Sequence, residues 1–278
     1  MRYGMEKHAA ITAGVAPPPS GTDNDRPSAK PPVMRIPRIY LACALTPGDV
    51  VPLPEQAGEH VARVLRLDAG HPLILFNGDG CEYDARIATV AKRAVTVEVV
   101  ERRLLSRESP LRLTLAQGVA RGEKMDWILQ KGTELGVRHI VPLVTERTEV
   151  RLDEDRAERR IAHWQQVIAS ACEQCGRTEL PTIEAPRKLA AWAASLAGNG
   201  AARYALLPDG DVSLRDLDAS THDAILVVGP EGGLSEHDVA VLRQAGFQGL
   251  RLGPRILRTE TAGLAALAAL QATLGDMR

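Results

Sequence analysis

A chain of 278 residues with 34 Lys and Arg against 35 Asp and Glu has a formal net charge of −1, so a polyanionic partner must be met by a local patch and not by bulk charge. Its 45% hydrophobic content suits a folded globular protein, no apolar run reaches the ~20 residues of a membrane span, and four cysteines do not make a disulfide framework, which favours a reduced, cytoplasmic setting. Two Phe, three Trp and four Tyr are too few for a broad base-stacking platform.

Residues 1–34, with PPPSGTDNDRPSAKPP at their centre, read as a disordered N-terminal extension. Folded structure is expected from MRIPRIYLACAL onward, and residues 35–107 are β-rich. LILF (73–76), CEYDARIATV (81–90) and AVTVEVV (94–100) are strands, the first two joined by the hairpin signal Asn77-Gly78-Asp79-Gly80. Alternation at Val95, Val97 and Val99 gives one buried face. EQAGEHVARVLRL is a short helix whose apolar stripe of Val61, Val64 and Leu65 leaves His60, Arg63 and Arg66 on the surface. These elements fit a small β-barrel with one helix.

From residue 108 to 278 strands and helices alternate. LRLTLAQG is a strand, and GEKMDWILQKGTELG is a helix with Met125, Ile128, Leu129 and Leu135 on one side, closed by Gly136. HIVPLV is the next strand, and Ile161, Trp164, Ile168, Ala171 and Cys175 recur at helical spacing over about 153–175. ARYALLP, AILVVGP and GLRLGP are strands that each stop at Pro or Gly-Pro. This alternation specifies a parallel α/β sheet, with the wholly apolar AILVV as a central strand.

Three loops at strand ends share an unusual composition: Leu207-Pro208-Asp209-Gly210, Gly229-Pro230-Glu231-Gly232-Gly233 and Leu252-Gly253-Pro254-Arg255. Ligands of open α/β sheets bind at the carboxyl ends of strands, where Gly-rich loops let backbone groups approach closely. GPEGG lacks the G-x-G-x-x-G spacing of a dinucleotide site. Ser235-Glu236-His237-Asp238 has the pattern of a capping box, and Thr259 or Thr261 that of an N-cap for the Ala/Leu-rich last helix. Cys172-x-x-Cys175, a lone pair on an amphipathic helix, reads as packing, and no metal site is expected.

GPEGGLSEHDV, LGPRILRTETA, KMDWILQKGTELGV and ACEQCGR together resemble the RsmE family of 16S rRNA uridine-N3 methyltransferases, of the SPOUT class, from Arg35 to the C-terminus. PRIY and HVARVLRL resemble that family's PUA-like N-terminal domain. The resemblance implies an α/β SPOUT fold with a C-terminal trefoil knot over residues 108–278 and a PUA-like β-barrel over 35–107. It also implies S-adenosylmethionine (SAM) as cofactor, 16S rRNA of the small ribosomal subunit as substrate, and a homodimer formed through the last helix, with no membrane or metal partner. Other members of the class act on a tRNA base or a ribose 2′-hydroxyl, and a non-catalytic assembly factor is a further alternative.

Carried onto this chain, the cofactor positions are Leu207, Pro208, Gly229, Pro230, Glu231, Gly232, Gly233, Leu252, Gly253, Ile256, Leu257 and Thr261. Arg258 is the electrophilic helper that steadies the developing uracil anion, and Glu260 takes a helix-end and orienting role ahead of a general-base one. RNA contacts are expected from Arg38, His60, Arg63 and Arg66 in the barrel. Lys131, Arg147, Gln174 and Arg177 match positions that the family holds polar beside the cleft.

Overall fold

The computed structural model describes residues 36–91, 94–150, 154–198 and 200–277; the extension expected over 1–34 lies outside them. The first part is built of β1 (Arg38–Tyr40), β2 (Val50–Pro52), α1 (Glu55–Glu59), β3 (Pro72–Phe76), β4 (Cys81–Ala91) and β5 (Ala94–Leu104). The ladder runs β1-β3-β4-β5-β2, and β1 and β2 are not paired with each other among the described residues, so hydrogen bonds leave the barrel open. Asn77 opens the β3–β4 turn by accepting the Asp79 N–H at 3.2 Å. Val95, Val97 and Val99 all point into the core.

The short helix departs from its expected stripe. After α1 the chain widens into a π-helical turn over His60–Val64, closed by the Leu65 N–H on the His60 carbonyl at 2.9 Å. The extra residue per turn rotates the following side chains outward. Val61 is buried, but Val64 and Leu65 are 68% and 38% exposed. Arg66 then takes a left-handed conformation (φ 52°), outside the helix expected to carry it beside Arg63.

The second part contains β6 (Arg112–Gly118), α2 (Glu123–Glu134), β7 (Val137–Val144), α3 (Glu154–Cys175), β8 (Thr182–Ile183), β9 (Arg187–Lys188), α4 (Leu189–Ala194) and β10 (Ala202–Leu206). It continues through β11 (Val212–Ser213), β12 (Asp223–Val228), α5 (Glu236–Gln244), β13 (Gln248–Arg251) and α6 (Thr259–Leu274). Every pairing in this sheet is parallel, in the order β11-β13-β10-β12-β6-β7-β8, with β9 also on β7. Ile128, Leu129, Trp164, Ile168, Leu267 and Leu270, from α2, α3 and α6, share one core cluster. Leu189, Trp192, Leu242 and Phe247, around α4 and α5, share another. β12, between β10 and β6, is buried from Ala224 to Val228, as its apolar sequence requires.

Because the strands are parallel, the loops that follow β10, β12 and β13 leave one edge together. Backbone meets backbone there. A Cβ on Gly118 would stand 2.5 Å from the Pro230 nitrogen, and one on Gly210 would stand 2.6 Å from the Gly249 carbonyl carbon. Ser235 and Asp238 make the expected capping box at α5, each backbone N–H bonded to the other's side chain at 3.0 Å. At α6 the expectation fails: Arg258 occupies the N-cap with no side-chain cap bond, and Thr259 is the first helical residue. One face of α6 is covered by its own chain, including Ala266, Leu267, Leu270 and Leu274, while Ala265, Ala268, Ala269 and Ala272 are partly or fully exposed. Among the described residues no helix is long and apolar enough to cross a membrane.

Candidate functional site

At the carboxyl edge of the sheet the three loops enclose a cavity of about 840 Å³, within the usual range for small-molecule sites. Leu207 and Pro208 line it from the β10 loop, Gly229 to Gly233 from the β12 loop, and Ile256, Leu257, Arg258 and Glu260 from the approach to α6. Leu252 and Gly253 line a smaller annex that shares Leu207, Pro208, Ile256 and Leu257. Thr261 lines neither. It is exposed one residue beyond Glu260, and its N–H closes the first turn on the Arg258 carbonyl at 2.9 Å.

The GPEGG loop is held by side chains of the cavity wall and by the Arg121 amide. Glu231 accepts the Arg121 N–H and the Lys124 ammonium, both at 3.1 Å. Burial pushes its carboxyl up, but the amide N–H groups of Arg121 and of Glu231 itself, with Lys124, outweigh this and hold the pKa below the ordinary value. Arg147 donates to the Gly232 carbonyl at 3.0 Å, and a Cβ on Gly232 would stand 2.9 Å from the Arg147 Cβ. Gly232 is therefore small to admit Arg147, and Arg147 acts as a loop clamp at the cavity wall.

The floor behind the loops is polar. Gln117, at the end of β6 and fully buried, donates from Nε2 to the Gly118 carbonyl at 2.9 Å and to Thr259 Oγ1 at 2.9 Å. The Thr259 hydroxyl in turn donates to the Gly229 carbonyl at 2.6 Å. Glu260 keeps Oε2 buried and without a hydrogen-bond partner, while Arg258 is exposed at the cavity rim. The sequence reading missed Gln117, Lys124, Leu234, Val239, Arg243 and Thr259 as cavity or floor residues. A glutamine closing the otherwise apolar strand LRLTLAQG was the available signal for the first of these.

Two expected RNA ligands are interior. Arg38 is ion-paired to Glu82, donates to the Arg177 carbonyl at 3.1 Å and lies 5.1 Å from the Phe76 ring centroid. Arg177 is buried with every donor nitrogen used on Glu108 and on the carbonyls of Thr133 and Val137. Neither guanidinium can reach a phosphate, because its partners lie inside the protein. Lys131 bonds Glu134 at 2.8 Å and lies 5.2 Å from the Trp127 ring centroid. His60, Arg63, Arg66 and Gln174 are exposed, and Arg63 pairs with Glu59 at 2.8 Å. Burial pushes the Cys172 thiol up to about 12, which makes it inert and accords with a packing role for the cysteine pair.

Comparison with known proteins agrees with this architecture. Residues 107–271 match the RNA methyltransferase domain family, and residues 53–100 match the RNA methyltransferase PUA domain. The ribosomal RNA small subunit methyltransferase E of Buchnera aphidicola is 32% identical over 243 residues, 87% of this chain and 98% of that protein. The crystal structure of the Neisseria gonorrhoeae ribosomal RNA small subunit methyltransferase E, bound to S-adenosyl methionine, superposes with a TM-score of 0.80 at 36% identity, over 87% of this chain and all of that one. A Legionella pneumophila protein in complex with the bound cofactor SAM gives 0.83 at 40% identity, over 87% of this chain and 99% of that one. The fold and site define an RNA methyltransferase of α/β type with a PUA domain in front of it, and the chain belongs to the RsmE family.

Proposed function

We propose that the chain transfers a methyl group from SAM to N3 of a uridine in 16S rRNA of the small ribosomal subunit. What carries this reading is the convergence of three strand-end loops on one cavity with Arg258 and Glu260 at its α6 side. The site fits the cofactor: the loops offer backbone donors and acceptors beside the apolar Leu207, Ile256 and Leu257, and the unpartnered Glu260 oxygen offers an acceptor. When bound, SAM supplies an electrophilic methyl group on a positively charged sulfur.

The acceptor nitrogen carries a proton and is a weak nucleophile until its charge is stabilised; that proton passes to solvent, and the sulfonium would leave as a neutral thioether once its methyl is transferred. Arg258, aimed at a uracil carbonyl oxygen, favours the anion without itself losing a proton. Glu260, in the first turn of α6, complements the helix end and takes an orienting role in the site. The clamps from Arg121, Lys124 and Arg147 hold the loop rigid, which limits the motion of bound reactants.

The substrate places the reaction in the cytoplasm. The exposed strip of Ala265, Ala268, Ala269 and Ala272 on α6 is the surface for a second copy of the chain. Leu267, fully buried in its own subunit, is not part of it. Incubating the protein with methyl-labelled SAM and small subunits lacking the modification, then mapping the label by mass, tests the function. N3-methyluridine in 16S rRNA is expected; label on a tRNA base or on a ribose, or no label, rejects it.

His60, Arg63 and Arg66 form the basic surface that remains for RNA backbone once Arg38 is excluded. The exposed Arg63–Glu59 pair is weak and easily given up to a phosphate. Replacing Arg63 and Arg66 by Ala should weaken RNA binding and lower the salt slope by about one per lost phosphate contact, with SAM affinity unchanged. Filter binding across a salt series checks this, and an unaltered slope removes both arginines from the interface.

A further inference from the structure

The polar group beneath the cavity connects three separate pieces of the site. Gln117 stands on β6, Gly229 begins the loop after β12, and Thr259 begins α6 directly beside Arg258 and Glu260. The two acceptors of the Gln117 amide are the Gly118 carbonyl and Thr259 Oγ1, with the Gly229 carbonyl a longer third at 3.4 Å. Carbonyl oxygens only accept, so the NH₂ end of the carboxamide must face them, which leaves Thr259 to spend its single hydroxyl proton on Gly229. The chain of donors has one direction: Gln117 to Thr259 to Gly229.

The arrangement is costly to fold. Gln117 is fully buried, and its Oε1 has no hydrogen-bond partner. A buried unpaired acceptor disfavours the native state relative to an apolar side chain of the same shape. Packing alone gives no reason for a glutamine here, since Leu115 and Val228 nearby are apolar and fully or almost fully buried. Arg258 itself has no side-chain cap bond, so the first turn of α6 lacks the usual N-cap restraint. The hydroxyl of Thr259 supplies the restraint instead, and it is set by Gln117.

We infer that Gln117 is a positioning residue for methyl transfer: through Thr259 it fixes the first turn of α6, and so Arg258, against the Gly229 end of the cofactor loop. The inference rests on the role of Arg258 proposed above. Gln117 touches no reactant. Its effect passes through the placement of a donor that matters only where charge develops, so it falls on the transfer step more than on cofactor affinity.

The experiment measures single-turnover transfer with RNA and SAM saturating, SAM affinity by calorimetry, and thermal stability, for Gln117→Met and Thr259→Val alone and each combined with Arg258→Ala. Each single change should slow transfer by up to about 10²-fold, the loss associated with an ångström-scale misplacement of a catalytic group. SAM affinity should stay within a few-fold, and Thr259→Ser, which keeps the hydroxyl, should recover most of the rate. In the Arg258→Ala background, neither change should cost anything further, because the group being positioned is gone. Losses that multiply in the double variants, or a wild-type rate for both single variants, overturn the inference while leaving Arg258 in place. A wild-type rate for Arg258→Ala overturns the proposed role of Arg258, and this inference with it. Should Gln117→Met not fold, the contrast between Thr259→Val and Thr259→Ser decides the question: equal rates for the two overturn the inference, and a slow Val beside a fast Ser supports it.

Discussion

Arg258→Ala slows methyl transfer by about 10²–10³-fold with RNA and SAM both saturating, the usual effect of one lost transition-state donor. The residue occupies the N-cap of α6 in extended conformation (φ −66°, ψ 154°), is exposed on the cavity side, and makes no side-chain cap bond. Truncating it therefore leaves the helix start intact, because that start is held by the Thr259 hydroxyl on the Gly229 carbonyl. The loss belongs in the transfer step and not in KM. In the ground state the uracil is neutral and gains little from the guanidinium; in the transition state it carries negative charge. Arg258→Lys should also be impaired, since a point ammonium cannot reproduce the planar fork. Single-turnover rates and calorimetric SAM affinity decide the matter. A normal transfer rate, or a loss confined to SAM affinity, would assign Arg258 to cofactor binding or to structure alone.

Periodicity and punctuation revealed much of this molecule. The Val95-Val97-Val99 alternation, the apolar AILVV strand and the helical spacing of Ile128, Leu129, Trp164 and Ile168 each reflect a buried face, and burial is what a residue pattern records best. The three loops were legible because Gly and Pro mark the backbone approaches themselves, as the Gly118–Pro230 and Gly210–Gly249 crossings show. The direction of a charged side chain was not legible. Arg38 and Arg177 look like Arg63 in sequence, and only their partners Glu82 and Glu108, 44 and 69 positions away, draw them inside. The π-turn at His60–Val64 breaks helical spacing within a single turn, so Val64 and Leu65 left the stripe assigned to them. Gln117 drew no notice and Thr259 only that of an N-cap candidate, because their importance lies in bonding each other across 142 positions.

Arg177→Ala destabilises the protein by ~3–5 kcal/mol, the cost of orphaning the other half of a buried ion pair. The two side chains are 6% and 1% exposed, so solvent cannot repair the loss. Arg177 donates from Nε to Glu108 Oε1 at 3.0 Å and from Nη2 to Oε2 at 2.5 Å, a two-pronged grip on the carboxylate. Its Nη1 meets the Thr133 carbonyl at 2.9 Å, in the last turn of α2, where that oxygen also accepts the Gly136 N–H at 3.1 Å, and the Val137 carbonyl at 2.8 Å, where β7 begins. Its own carbonyl accepts from Arg38. One side chain thus joins α2, β7 and the Glu108 segment that leads from the small sheet to the large one. Arg138 Nε, 4.0 Å from Glu108, is too distant to replace the grip. Arg177→Lys should recover little, since three mobile donors cannot match the fork. Adding Glu108→Gln to Arg177→Ala should recover part of the stability, because the stranded charge is then gone while the bonds from Arg177 to the Thr133 and Val137 carbonyls stay lost. Urea titration of the four proteins measures this, and RNA binding at low temperature separates the two roles proposed for Arg177. A folded Arg177→Ala protein should bind RNA as tightly as wild type. Unchanged stability with weakened RNA binding would return Arg177 to the RNA surface and contradict its place in the core.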